Sequence, residues 1–110
     1  MIVGAAVVEI HVHGSQSLKG KRGVVRSISQ RLRNRFNLSV GEVGGQETWQ
    51  RALLGLSTVG SDRRRVRQVL EGALAFVEEL HLAEVISSDI EVIDLPYAAS
   101  EWQVGAADSD

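Results

Sequence analysis

The chain has 110 residues, no cysteine and a formal net charge of −2. That length suits one compact domain, and the lack of cysteine excludes a disulfide framework, a thiolate metal site and a cysteine nucleophile. A hydrophobic fraction of 44 % argues against disorder of the whole chain.

No apolar run approaches the ~20 residues of a membrane-crossing helix. The apolar start MIVGAAVVEI lacks the basic region that precedes a signal peptide. The expected setting is therefore the reducing cytoplasm, with no membrane partner. The net charge hides a division. Residues 1–70 hold all twelve Lys and Arg against four acids, formally +8, whereas residues 71–110 hold ten acids and no Lys or Arg, formally −10. Partners are therefore to be read from the distribution, not the total.

Residues 2–13 read as a strand, with Ile2, Ala6, Val8, Ile10 and Val12 on one side and Val3, Ala5, Val7, Glu9, His11 and His13 on the other. Gly14 breaks it, and Ser17 is an N-cap for a helix that runs to Phe36. Val25, Ile28, Leu32 and Phe36 give this helix its apolar stripe. Its cations are Lys19, Lys21, Arg22, Arg26, Arg31, Arg33 and Arg35, with no acid among them. Asn37 suits a left-handed stop.

Leu38 to Val43 reads as a short strand with Leu38 and Val40 on one side, and Gly44-Gly45 as a hairpin turn. Trp49 to Val59 returns, with Ala52, Leu54, Leu56 and Thr58 facing one way. A second helix spans about Asp62 to Leu80, with Val66, Leu70, Ala73, Val77 and Leu80 buried. A last strand, Glu84 to Leu95, sets Ile86, Ile90 and Val92 on one side. Residues 1–95 thus form the domain, and 96–110 an acidic, flexible tail.

The order β-α-β-β-α-β predicts a ferredoxin-like α+β fold, a four-stranded antiparallel sheet with both helices on one face. In that topology the end of the first helix and the start of the second share one end of the domain. Arg31, Arg33 and Arg35 then gather with Arg63, Arg64, Arg65 and Arg67, while Lys19, Lys21 and Arg22 face Glu78 and Glu79 at the other end. Four arginines at a helix N-terminus oppose the macrodipole, at a few tenths of a kcal/mol each. Either a polyanion compensates, since such a site suits phosphate, or the tail's Glu101, Asp108 and Asp110 fold back.

His11 and His13, beside Glu9, are weak metal candidates. Three ligands on one strand need help from elsewhere, and no matching acid or His cluster is evident in the sequence, so solvated histidines, no metal and no cofactor are expected. Trp49 reads as an aromatic closing the core's edge, with stacking on a base as the alternative. No nucleophile setting or phosphate loop appears, so no catalytic residue is expected. On the other sheet face, Val3, Ala5 and Val7 neighbour Leu53 and Val59. Such a patch calls for a cover, a homodimer or a partner protein. The lack of central aromatics there argues against RNA binding on the sheet.

The runs Ser17-Leu18-Lys19-x-Lys21-Arg22, Arg35-Phe36-Asn37-x-Ser39-Val40-x-Glu42-Val43 and Trp49-Gln50-Arg51-Ala52 resemble the YlxP-like bacterial family of small domains of unknown function. The resemblance covers about residues 1–95 and departs from the usual pattern at Gly20 and Gly44-Gly45. It implies a ferredoxin-like fold. It also implies a role near ribosomal RNA or a ribosomal subunit, because the family's genes commonly lie beside genes of translation initiation and ribosome maturation. It supplies no catalytic residue. The expectation is a non-enzymatic, RNA- or ribosome-associated domain; the alternative is an interaction module that dimerises through its sheet face.

Overall fold

The computed structural model describes residues 1–96. Their elements are β1 (Ile2–His11), α1 (Leu18–Arg35), β2 (Ser39–Gly44), β3 (Arg51–Gly60), α2 (Arg63–Leu80) and β4 (Glu84–Asp94). All strand pairs are antiparallel, in the order β2-β3-β1-β4. This is the ferredoxin-like α+β fold expected from the sequence. The expected tail lies almost wholly outside the described residues.

Alternation sends Ala6, Val8 and Ile10 of β1 and Ala52, Leu54 and Leu56 of β3 into the core, where they meet Val25, Ile28 and Leu32 of α1 and Leu70, Ala73 and Val77 of α2. Gly4 sets how closely α2 approaches the sheet: a Cβ there would lie 2.5 Å from Val66 Cγ1 and 2.7 Å from Leu70 Cδ1. Phe36 and Phe76 meet edge to face, their ring centroids 5.7 Å apart, and join the end of α1 to α2. No helix among the described residues is long and apolar enough to cross a membrane.

Two register shifts depart from simple alternation. In β2, Glu42 pairs with Leu54 and Gly44 with Leu53, so Val43 is the extra residue. In β4, Ser87 pairs with Glu9 and Val85 with Ile10, so Ile86 is the extra residue. The second bulge corrects the expected inward face of β4: Val85 is half-buried against the core, and Ile86 is exposed. A bulge reverses the parity of every residue beyond it. The left-handed stop expected at Asn37 is also corrected. α1 ends on Phe36 in extended conformation, and among the described non-glycine residues only His81, the C-cap of α2, has positive φ.

The expected turn at Gly44-Gly45 is longer. Gly44 belongs to β2, and the connection runs from Gly45 to Gln50. Gly45 takes φ +76, and a Cβ there would sit 3.0 Å from the Arg51 carbonyl oxygen. The loop closes on Lys21, whose side chain is fully buried. Its Nζ donates to Glu42 Oε2 at 3.0 Å, to Gly45 O at 2.6 Å and to Arg51 O at 3.2 Å. Thr48 Oγ1 lies within hydrogen-bonding distance of the same two carbonyls. Lys21 therefore neither faces Glu78 and Glu79 nor meets a partner; it is an internal clamp. An ammonium has three protons, and each has an acceptor here, which offsets its burial.

Removing one partner of a buried charge pair costs more than the pair itself contributes. Lys21→Ala is therefore expected to destabilise the domain by about 3–5 kcal/mol, read as a lower urea midpoint with unchanged slope. Lys21→Met, which keeps the packed stem but loses the charge, should cost less. A loss below about 1 kcal/mol in Lys21→Ala would show that the clamp does not hold the hairpin.

Candidate nucleic-acid interface

β3 ends and α2 begins at the same end of the sheet where α1 delivers the chain into β2. Gly60 pairs with Ile2, and Thr58 Oγ1 donates to Asn37 O at 2.9 Å. The end of α1 and the start of α2 thus lie toward the same end of the sheet, while Phe36 and Arg35 pack farther along α2, against Phe76. Arg31, Arg33, Arg35, Arg63, Arg64, Arg65 and Arg67 are all exposed.

Their environments differ. Arg33 Nη2 donates to Val40 O at 2.7 Å, and Arg63 Nη2 to Val92 O at 2.9 Å. Each bond anchors one corner of a guanidinium and leaves other N–H groups for a second acceptor. Arg35 lies over the Phe76 ring, its guanidinium carbon 4.9 Å from the centroid, a cation–π contact that fixes its direction. Arg31 Nε donates to Ser27 Oγ. Arg67 reaches Glu71 at 4.0 Å across a turn of its own helix, a pair too exposed to hold it firmly. Asp62, Arg63, Arg64 and Arg67 line an open hollow.

The start of α2 differs from the expectation in one respect. Asp62 caps the helix, its Oδ1 accepting from Arg64 N at 2.9 Å and Arg65 N at 3.5 Å. Two of the free backbone donors are thus occupied, and an anion at this end would meet guanidinium groups. No acid lies in the first turn of α2 and no base in its last, so the opposition to the macrodipole is real.

The remaining cations of α1 are placed apart. Lys19 and Arg22 are exposed at its start, Arg26 is exposed in its middle, and Lys21 is buried. Among the described residues no ion pair joins the start of α1 to Glu78 or Glu79; the four pairs present are His13–Glu84, Lys21–Glu42, Arg51–Glu9 and Arg67–Glu71. Trp49 does not close the core's edge, being 56 % exposed on the β2–β3 loop.

On the outer sheet face, Val3 pairs with Val59, and Val7 with Gly55, in the register that brings Leu53 opposite Glu9. Val7 and Val59 are exposed, and Val3 and Leu53 are half-buried. Ala5 stands between Ser57 and Glu91, and Val7 faces Asp89 on its other side. The apolar strip is thus bordered by the acids of β4. Glu9 meets Arg51 on this face. Sequence reasoning missed two acids: Glu42 at the clamp and Glu84, which bonds His13. Glu42 had a signal, since it shares parity with Val40; Glu84 had none.

Comparison with known proteins adds the following. The chain is 39 % identical over 77 residues to the uncharacterised protein YlxP of Bacillus subtilis (strain 168), covering 70 % of this chain and 84 % of that protein. Among solved structures it is similar to SnoaB, a cofactor-independent oxygenase of Streptomyces nogalater, with a TM-score of 0.48 and 13 % identity over 87 % of this chain and 95 % of that one. A protein of Arabidopsis thaliana gives a TM-score of 0.47 and 10 % identity over 87 % of this chain and 97 % of that one. A family model matches residues 3–90, and the chain belongs to that family, DUF503, proteins of unknown function.

Proposed function

We propose that this chain is a non-enzymatic RNA-associated domain whose arginine-rich end engages backbone phosphates, with ribosomal RNA or a ribosomal subunit as the partner. The observation that carries this reading is the set of exposed arginines on the end of α1 and the start of α2, two of them pre-oriented by bonds to the Val40 and Val92 carbonyls. Anchored guanidiniums lose less freedom when they bind a phosphate oxygen, and their fork matches it. The interface narrows to Arg31, Arg33, Arg35, Arg63, Arg64, Arg65 and Arg67. Lys19, Arg22 and Arg26 lie farther from it, and Lys21 is enclosed.

Phosphate contacts release counterions, so affinity for ribosomal RNA should fall with salt at a log–log slope of about −3 to −5. Arg63→Glu, Arg64→Glu and Arg65→Glu combined should weaken binding to any RNA sequence alike. Lys19→Glu with Arg22→Glu, at the other end, should change it little. A flat salt dependence, or no binding to RNA or subunits at low salt, overturns the reading.

A second reading is favoured by the outer sheet face, where Val7, Val59 and Ile93 are each more than 40 % exposed. A continuous apolar strip of this kind is stabilised by cover, and a second copy laid on it would make a homodimer. On this reading the protein sediments as a dimer at micromolar concentration and Val7→Glu as a monomer; a wild-type monomer removes it.

A further inference from the structure

The end of the sheet opposite the arginines carries three side chains that could hold a metal. His11 and His13 share the outer side of β1 and its extension, with Val12 between them buried in the core. Their rings lie with centroids 4.1 Å apart. The third group comes from β4. Glu84 pairs with His11 in the register, and its Oε1 lies 2.8 Å from His13 Nε2. One ligand atom from each of the three lies within 4.8 Å of the others.

The β4 bulge is what brings them together. Continued from Glu9–Ser87 without the extra Ile86, the pairing would oppose His11 to Val85 and turn Glu84 toward the core. The shift places Val85 opposite Ile10 and Glu84 opposite His11. Bulges re-aim side chains in this manner. They are over-represented at sheet edges and beside active sites.

We propose that His11, His13 and Glu84 form a binding site for a divalent transition metal of the zinc class. Two imidazoles and one carboxylate are the donor set that tetrahedral zinc takes with a fourth, open position. Soft and borderline metals prefer it to magnesium or calcium, which seek oxygen. At Zn–ligand distances of about 2.0–2.2 Å, tetrahedral ligand atoms stand roughly 3.4 Å apart. The three groups, of which His13 and Glu84 are exposed and His11 half-buried, need only small side-chain rotations to reach that spacing.

Gln50 steadies the site. Its Oε1 lies 3.3 Å from His11 Nε2, and its own Nε2 donates to Ser15 O at 3.2 Å. When His11 donates from Nε2 to Gln50, Nδ1 keeps the lone pair that ligates, the arrangement common for metal-bound histidine. Arg51 stands opposite His11 on β3, and its guanidinium is held by Glu9, which offsets its charge beside the cation.

The test is titration of the untagged, full-length protein with zinc, and with cobalt as a spectroscopic reporter. One equivalent should bind with a dissociation constant on the order of micromolar, as an exposed three-ligand site allows. Bound cobalt should show the intense visible absorption of four-coordination. The ring signals of His11 and His13, and not those of His81, should shift in nuclear magnetic resonance spectra. Glu84→Gln and His13→Ala should each weaken binding about tenfold or more, while His81→Ala, at the α2 cap, should not. Both substituted ligands are exposed, and circular dichroism checks that the variants fold. No saturable uptake at about 100 μM zinc, or uptake unchanged in the His11→Ala/His13→Ala variant, overturns the site.

Discussion

One buried ammonium organises this domain. Lys21 enters from the first turns of α1 and ties three separate pieces of chain: the Glu42 side chain on β2, the Gly45 carbonyl at the loop, and the Arg51 carbonyl where β3 begins. A lone charge in that position would be costly. Three acceptors in reach of three protons convert the cost into a constraint. The loop can close in essentially one way, because any other would leave the ammonium or the carbonyls without partners. Gly45, with positive φ and no room for a Cβ, is the backbone counterpart of that constraint. The two runs S-L-K-x-K-R and S-V-x-E-V, distant in sequence, meet at this contact.

With the β2–β3 hairpin held at one end, the antiparallel register separates the molecule's chemistry by position. The clamp, the two strand-end histidines and Glu84 occupy the end where α1 starts. Toward the other end lie the close of α1 and the opening of α2, each with exposed arginines. The ends so differ: one displays imidazole and carboxylate groups beside Arg51, the other several arginines. The sheet between them offers the apolar strip of Val3, Ala5 and Val7, bordered by Asp89 and Glu91.

The arginine end also shows how local stability yields to something else. Helix α2 bears cations at its positive pole and Glu78 and Glu79 at its negative pole; Asp62 answers the arrangement as the cap, and Glu71 weakly through Arg67. The favourable term comes from packing. Val66, Leu70, Ala73 and Val77 bury one face of the helix against the sheet, and a few such side chains outweigh several surface charge terms of a few tenths of a kcal/mol each.

Much of this was legible in the sequence. Period-two and helical spacings identified all six elements, because core-facing residues repeat wherever an element has one buried side. The division of charge is likewise legible, and with it the exposure of Arg31, Arg33, Arg35, Arg63, Arg64, Arg65 and Arg67 on the two helices. The errors share one cause. Lys21 reads like its basic neighbours, since sequence neighbours do not reveal whether a lysine points at solvent or at a strand carbonyl thirty residues on. Parity alone points Ile86 inward and gives Glu84 no role, since one strand is blind to an extra residue that only pairing with β1 exposes. The sequence by itself determined the elements, the core and the division of charge, all of which depend on periodic burial. Tertiary structure decided which charged groups are enclosed, which are displayed and which meet across strands, because those depend on register, and register is a property of pairs.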